Sequence, residues 1–281
     1  MKKILASLVF AGAFAIGNAQ VKAPQPSPSA TIKQTIGLSE VMVEYSRPSA
    51  NERKVFGNLV PMNKLWRTGA NGSTDITFKN EASFNGMKVP AGKYALYTIP
   101  SSSEWEIILY KDTEQWGAPK ELKEDLIVAR TKVKAEKNPV FVETFSLDFS
   151  NLRTDKADLA LSWENTRVKV PIVMDSKKEV LESIEKTLSS KDAKAGDYNS
   201  AANYFLQEKI DMKKALEYST KANELSSDTF YMLKAKAEIQ AANGMKKDAI
   251  ETAKKSIELS KKASNEDYVK MNVDNIAKWS K

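Results

Sequence analysis

Three arginines early in the chain, Arg47, Arg53 and Arg67, are the side chains best suited to hold a ligand. A guanidinium is a planar fork of donors that matches an anion presenting two acceptor oxygens. Arg67 lies inside the stretch Trp66-Arg67-Thr68-Gly69-Ala70-Asn71. There Gly69 permits a backbone turn, Asn71 tolerates the left-handed region, and Trp66 would bury one end of the loop. Together Arg47, Arg53, Trp66, Arg67, Asn71 and Trp116 define an expected small pocket for an anionic or carbohydrate ligand. The competing expectation keeps the same arginines internal, paired with backbone carbonyls and with carboxylates such as Glu44 or Asp75.

Carboxylates supply the other chemistry open to this chain. Glu104, Glu106, Asp112 and Glu114 surround an aromatic run, and two acids held about 5–10 Å apart could hydrolyse a glycosidic bond. Acids alternating along a strand are also the ordinary pattern of its solvent face. Other mechanisms are closed. The 281 residues include no histidine and no cysteine, which removes Ser-His-Asp and Cys-His catalysis, thiol nucleophiles, disulfides and structural zinc. No Asp-x-Asp calcium loop and no glycine-rich phosphate cradle occurs. No catalytic residue, cofactor or metal is therefore assigned.

The net charge of +7, from 43 basic and 36 acidic side chains, is spread along the chain without a block of like sign. That distribution lacks the footprint of a nucleic-acid-binding protein. Hydrophobic residues make up 42% of the chain, enough for buried cores.

The elements that would position these residues change character once. From Thr31 to about Met174 the chain reads as strands. Val41, Val43 and Tyr45 alternate with Glu40, Met42 and Glu44, the period of a half-buried strand. Asn85-Gly86 between two short apolar runs is a hairpin signal, because both turn positions need positive φ. Trp105 to Tyr110 is apolar on both parities, as a central strand would be, and Phe141, Phe145, Leu147 and Phe149 are expected to share one face, with Glu143 between them. About nine or ten short strands are expected, forming a β-sandwich, with a barrel as the alternative.

From Asp175 onward Ala, Leu, Lys and Glu dominate, and all six arginines lie at or before Arg167. Helices are expected over 175–281. Within them Lys214-Ala215-Leu216-Glu217 matches Asp248-Ala249-Ile250-Glu251 at an offset of 34 residues, and Ala222 faces Ser256. This period, with small residues where helices would cross, resembles tetratricopeptide repeats over about Gly196 to Lys262. The early Trp and closing Pro of such repeats are missing, and Asn203 and Ala237 stand where Gly is common. The resemblance implies a partner groove lined by Tyr204, Gln207, Tyr231 and Lys234. The alternative is that these helices only cap the β domain.

In the strand region, Tyr45-Ser46-Arg47-Pro48, Arg53, Phe56-Gly57, Leu65 to Asn71, Pro90-Ala91-Gly92-Lys93-Tyr94, Ile99-Pro100, Glu104-Trp105 and Trp116-Gly117 follow in that order. Taken together they resemble the bacterial domain of unknown function family 2911, over about Ser27 to Ile172. Members of that family are exported and often carry a helical repeat tail. The family has no assigned activity, so the resemblance implies no mechanism.

The first residues read as an export signal. Lys2 and Lys3 precede an apolar stretch from Ile4 to Ile16, and Gly17-Asn18-Ala19 places small residues before Gln20, the pattern of a cleavable leader. No cysteine follows to carry a lipid. The expected organisation is a signal peptide over 1–19, a linker over 20–30, a β-sandwich domain over 31–174 and a helical domain over 175–281. The sequence thus points to a periplasmic or secreted binding protein, with no membrane span after cleavage. Its β domain plus helical repeats would hold a protein or peptide partner. The alternative is a carbohydrate- or anion-directed site in the β domain, as a carboxylate-based hydrolase or a binding pocket.

Overall fold

The structure, a computed structural model, describes residues 23–281 and divides into two compact units at the Asp175–Ser176 junction. The expected signal peptide lies outside the described residues, as does the start of the linker.

In the first unit, alternating side chains produce strands that pair antiparallel throughout: β1 (Ser29–Ile36), β2 (Ser39–Ser46), β3 (Thr74–Phe78), β4 (Ala82–Phe84), β5 (Met87–Val89), β6 (Gly92–Ile99), β7 (Glu104–Tyr110), β8 (Ile127–Ser150) and β9 (Lys156–Val173). The described strands form one sheet in the order β1-β2-β3-β6-β7-β8-β9-β4-β5. The hairpin between β4 and β5 turns on Asn85 at φ 47° and Gly86 at φ 83°, the two positive values a two-residue turn needs.

Two strands are longer than the sequence pattern suggested. β8 has 24 residues and β9 has 18. β8 pairs with β7 through Lys134 and with β9 from Ala135 onward, and the second pairing slips between Lys137 and Val142. This irregularity admits Pro139, which cannot donate to a ladder, so the strand continues where its sequence reads as an interruption. It also corrects one placement. Phe145 and Leu147 are buried, but Phe141 falls in the slipped stretch and is 56% exposed.

β8 thereby serves two layers. The chain leaving β2 bonds to its far half, with Phe145 N–H donating to Pro48 O at 2.9 Å and Ala50 N–H donating to Glu143 O at 2.8 Å. Val41, Val43, Ile76 and Leu96 of one layer share a buried cluster with Phe145, Leu147, Leu161 and Trp163 of the other. β7 is buried on both parities because Trp105, Ile107 and Leu109 enter that cluster, while Ile108 and Tyr110 join a second one with Leu122 and Leu126. The result is a two-layered β fold followed by helices.

The second unit contains α1 (Lys177–Leu188), α2 (Ala195–Gln207), α3 (Met212–Leu225), α4 (Phe230–Ala242), α5 (Lys246–Lys262) and α6 (Glu266–Trp279). α2 packs with α3, and α4 with α5. Ala215 and Ala249, 34 residues apart in sequence, are both fully buried, as are Ala222 and Ser256; small side chains let the helix backbones approach. Asp211 caps α3 by accepting from the N–H groups of Lys213 and Lys214 at 3.1 and 3.0 Å, which satisfies donors that have no partner inside the helix.

Candidate functional site

The loop between β2 and β3 carries the site. Trp66 anchors it as a short bridge to β6, its N–H donating to Thr98 O at 2.8 Å and its carbonyl accepting from Thr98 N–H at 3.0 Å. The indole Nε1–H then donates to Gly69 O at 3.1 Å and closes the turn. Thr68 is held at φ +57° and is 0% exposed, an uncommon state for a β-branched residue. Its carbonyl accepts from Thr74 Oγ1 at 2.6 Å, and its hydroxyl meets that of Thr98 at 3.1 Å. Neighbouring contacts therefore over-determine the strained backbone. Gly69 passes so close to β2 that a Cβ there would stand 2.9 Å from Ser46 O.

Asn71, at φ +61°, acts in two directions. Its carbonyl accepts from Arg67 Nη1 at 2.6 Å, and its amide Nδ2 donates to Ser27 O at 3.1 Å and to Gln25 Oε1 at 3.4 Å. The guanidinium of Arg67 also lies against Gly117, where a Cβ would stand 3.3 Å from Nη1. These contacts set the plane of the Arg67 fork.

None of the three early arginines has a carboxylate within ion-pair distance among the described residues. Arg53 donates from Nε to Ala50 O and from Nη2 to Ser49 O, both at 2.9 Å. Arg47 donates from Nε to Phe145 O at 3.2 Å. The acids expected as partners are committed elsewhere. Glu44 and Asp75 both bind Lys93, at 3.4 and 2.9 Å, and that pairing holds the Lys93 ammonium above its ordinary pKa, the Asp75 hydrogen bond leading. The arginines are thus held by carbonyls alone, which fix geometry without neutralising charge.

Beside this loop lies a cavity of about 250 Å³. Trp66 and Trp163 form one side, stacked with centroids 5.9 Å apart and planes at 22°. Leu59, Val60 and Pro48 add apolar surface, Arg53 and Arg67 bring the charge, and Ser27 of the N-terminal segment closes one wall. No acid lines it.

Of the six expected pocket residues, Arg53, Trp66 and Arg67 line this cavity, and Arg47, Asn71 and Trp116 do not. Asn71 instead holds the segment that forms the wall. Trp116, 81% exposed, lies in the connection between β7 and β8 as the neighbour of Gly117. Trp163 and Ser27 were not singled out in the sequence. Trp163 was legible only as the last member of an alternation with Leu159 and Leu161, which reads as core.

The acids considered for hydrolysis are engaged with other groups or exposed. Glu106 pairs with Arg130 at 3.1 Å, and Glu104 stands opposite Lys134 in the β7–β8 register. Asp112 accepts from Gln115 Nε2 at 2.6 Å and from Glu114 N–H at 3.1 Å, and these bonds hold its carboxyl below the usual range. Glu114 is exposed.

The expected groove residues of the helices do not share a recess. Tyr204 lines a small cavity between α1 and α2 with Ile184 and Leu188. Gln207 and Tyr231 are exposed, and Lys234 pairs with Glu238 at 2.8 Å. Glu238 in turn accepts from Asn275 Nδ2 at 3.0 Å, linking α4 to α6.

The fold and site define a two-layered β domain with an acid-free, arginine-bearing aromatic cavity. Residues 27–172, just over half of the chain, match the family described as Protein of unknown function (DUF2911), and the chain belongs to that family. No curated protein and no solved structure matches it.

Proposed function

We propose that this is an exported, non-enzymatic binding protein whose β domain holds a small anionic ligand in the cavity beside Trp66. The observation that carries this reading is the set of guanidiniums held by carbonyls, with no carboxylate within ion-pair distance among the described residues. Arg53 is exposed and water solvates it, but Arg67 is half-buried beside the apolar wall, where its charge is only partly hydrated. A ligand anion would compensate that charge. The strained Thr68 supports the same reading, since such backbone states persist where the surroundings hold a group in place for use. A thermal-shift titration of the full chain with small anions and neutral sugars tests it. Anions should raise the melting temperature and neutral sugars should not; a set of anions with no effect would sink the reading. Export is tested separately, since the protein taken from its native envelope should begin at Gln20.

A second reading concerns the helices. The 34-residue offset in sequence coincides with two packed helix pairs whose equivalent alanines, Ala215 and Ala249, are both buried. That pairing supports a short tetratricopeptide-like array, which would hold a protein or peptide segment across α2 and α4. A photo-crosslinker at Gln207 or Tyr231 should then capture a partner that one at Lys254, on α5, does not. Equal capture at all three positions would count against a groove.

A further inference from the structure

Arg53 and Arg67 both line the cavity, but their forks are used differently. In Arg53 the side-on edge, Nε with Nη2, is spent on the carbonyls of Ala50 and Ser49. In Arg67 only Nη1 is bonded, to Asn71 O, and Nε and Nη2 have no protein partner among the described residues. Neither of those nitrogens is sealed from solvent. Resting on the anion reading above, we propose that the cavity recognises the carboxylate of a small ligand with an apolar, ring-sized body. The carboxylate docks side-on against Nε and Nη2 of Arg67.

The two oxygens of a carboxylate match one open fork, whereas a phosphate presents three and would ask for further donors. Holding Nη1 between Asn71 O and Gly117 orients the fork in advance, so little rotamer freedom is lost on binding. Arg53 adds positive charge without a free side-on edge. Trp66, Trp163, Leu59, Val60 and Pro48 supply apolar surface for such a body, beside Ser27, Gly69 and Ala70. At about 250 Å³ the cavity is smaller than the range for drug-sized ligands, roughly 300–1,000 Å³. It suits a single ring.

The test uses benzoate, benzamide and phenyl phosphate with the full chain, read by the indole N–H resonances of Trp66 and Trp163. Benzoate should shift both saturably, and benzamide, of the same shape without charge, should bind at least about tenfold more weakly. Arg67→Lys should weaken benzoate by about tenfold or more, since a point charge cannot reproduce two directed bonds. The benzoate–benzamide comparison on the unaltered protein stands whether or not that variant folds. Equal binding of benzoate and benzamide would overturn the carboxylate assignment. Binding of phenyl phosphate with no response to benzoate would overturn it too, while leaving the anion site in place. If benzoate binds and Arg67→Lys changes nothing, the docking edge is wrong. Silence from both anions would remove the site along with the inference.

Discussion

Asn71 Nδ2 donates to the carbonyl of Ser27, 3.1 Å away and 44 residues earlier in the chain. Through this bond the loop that orients Arg67 also fixes the N-terminal segment, so one residue sets both the fork and a wall of the cavity. Its left-handed backbone makes the two roles separable by mutation.

Asn71→Gly keeps the positive φ without steric penalty and removes the amide. The variant should lose about 1 kcal/mol of stability, with the loss concentrated at the N-terminal segment. The backbone resonances of Gln25 and Ser27 should move towards random-coil positions while β2 and β3 stay protected from amide exchange. Unchanged resonances there would show that the segment is held by its other bonds.

Gly69→Ala should be far more damaging. A Cβ would approach Ser46 O to 2.9 Å in a backbone at φ +155°, and neither β2 nor the turn can yield cheaply. Destabilisation of about 2 kcal/mol or more is expected by chemical denaturation.

In the helices, Ala215→Leu and Ala249→Leu should each destabilise by about 1–3 kcal/mol, because both sites are fully buried between helices. Lys213→Leu, on an exposed position, should stay within about 0.5 kcal/mol. Lys214 is unsuitable as that control. Its ammonium lies 5.7 Å from the Tyr218 ring and 6.0 Å from that of Phe205, within range of a cation–π attraction.

Alkaline pH should weaken the β unit through Tyr97. Burial, with the charges of Asp112 and Asp75 adding to it, pushes its hydroxyl up to about 12. The unfolded chain ionises this group near 10 while the folded one keeps it neutral. Its contribution is therefore complete below pH 10 and is lost as pH rises through about 12, a fall of about 3 kcal/mol at most. The hydroxyl is buried with no hydrogen-bond partner. Tyr97→Phe should consequently match or exceed the parent in stability at neutral pH and abolish this part of the alkaline loss.

The sequence was most legible where one local rule acts alone. Asn85-Gly86 announced its turn, Val41, Val43 and Tyr45 announced a half-buried strand, and the offset between Ala215 and Ala249 found two equivalent buried positions. It was least legible where distant segments compete for the same group. Nothing local says that Lys93 takes both Glu44 and Asp75, which leaves carbonyls for Arg47, Arg53 and Arg67. Nor does parity predict Phe141, because a slipped register resets which face a residue occupies. Trp163 was hidden for a related reason: a tryptophan in an alternating strand looks like core, and only its stacking on Trp66 brings it to the cavity.

The irregular stretch of β8 between Lys137 and Val142 bears on solubility as well as on shape. A β8 that paired without interruption would favour an open ribbon of nine strands, leaving the inner faces around Phe145, Leu147 and Trp163 in water. Such a ribbon would be a template for chain-to-chain stacking. Pro139 cannot donate to a continuous ladder, so Pro139→Thr should extend the pairing of β8 with β9 and raise light scattering when the chain is refolded.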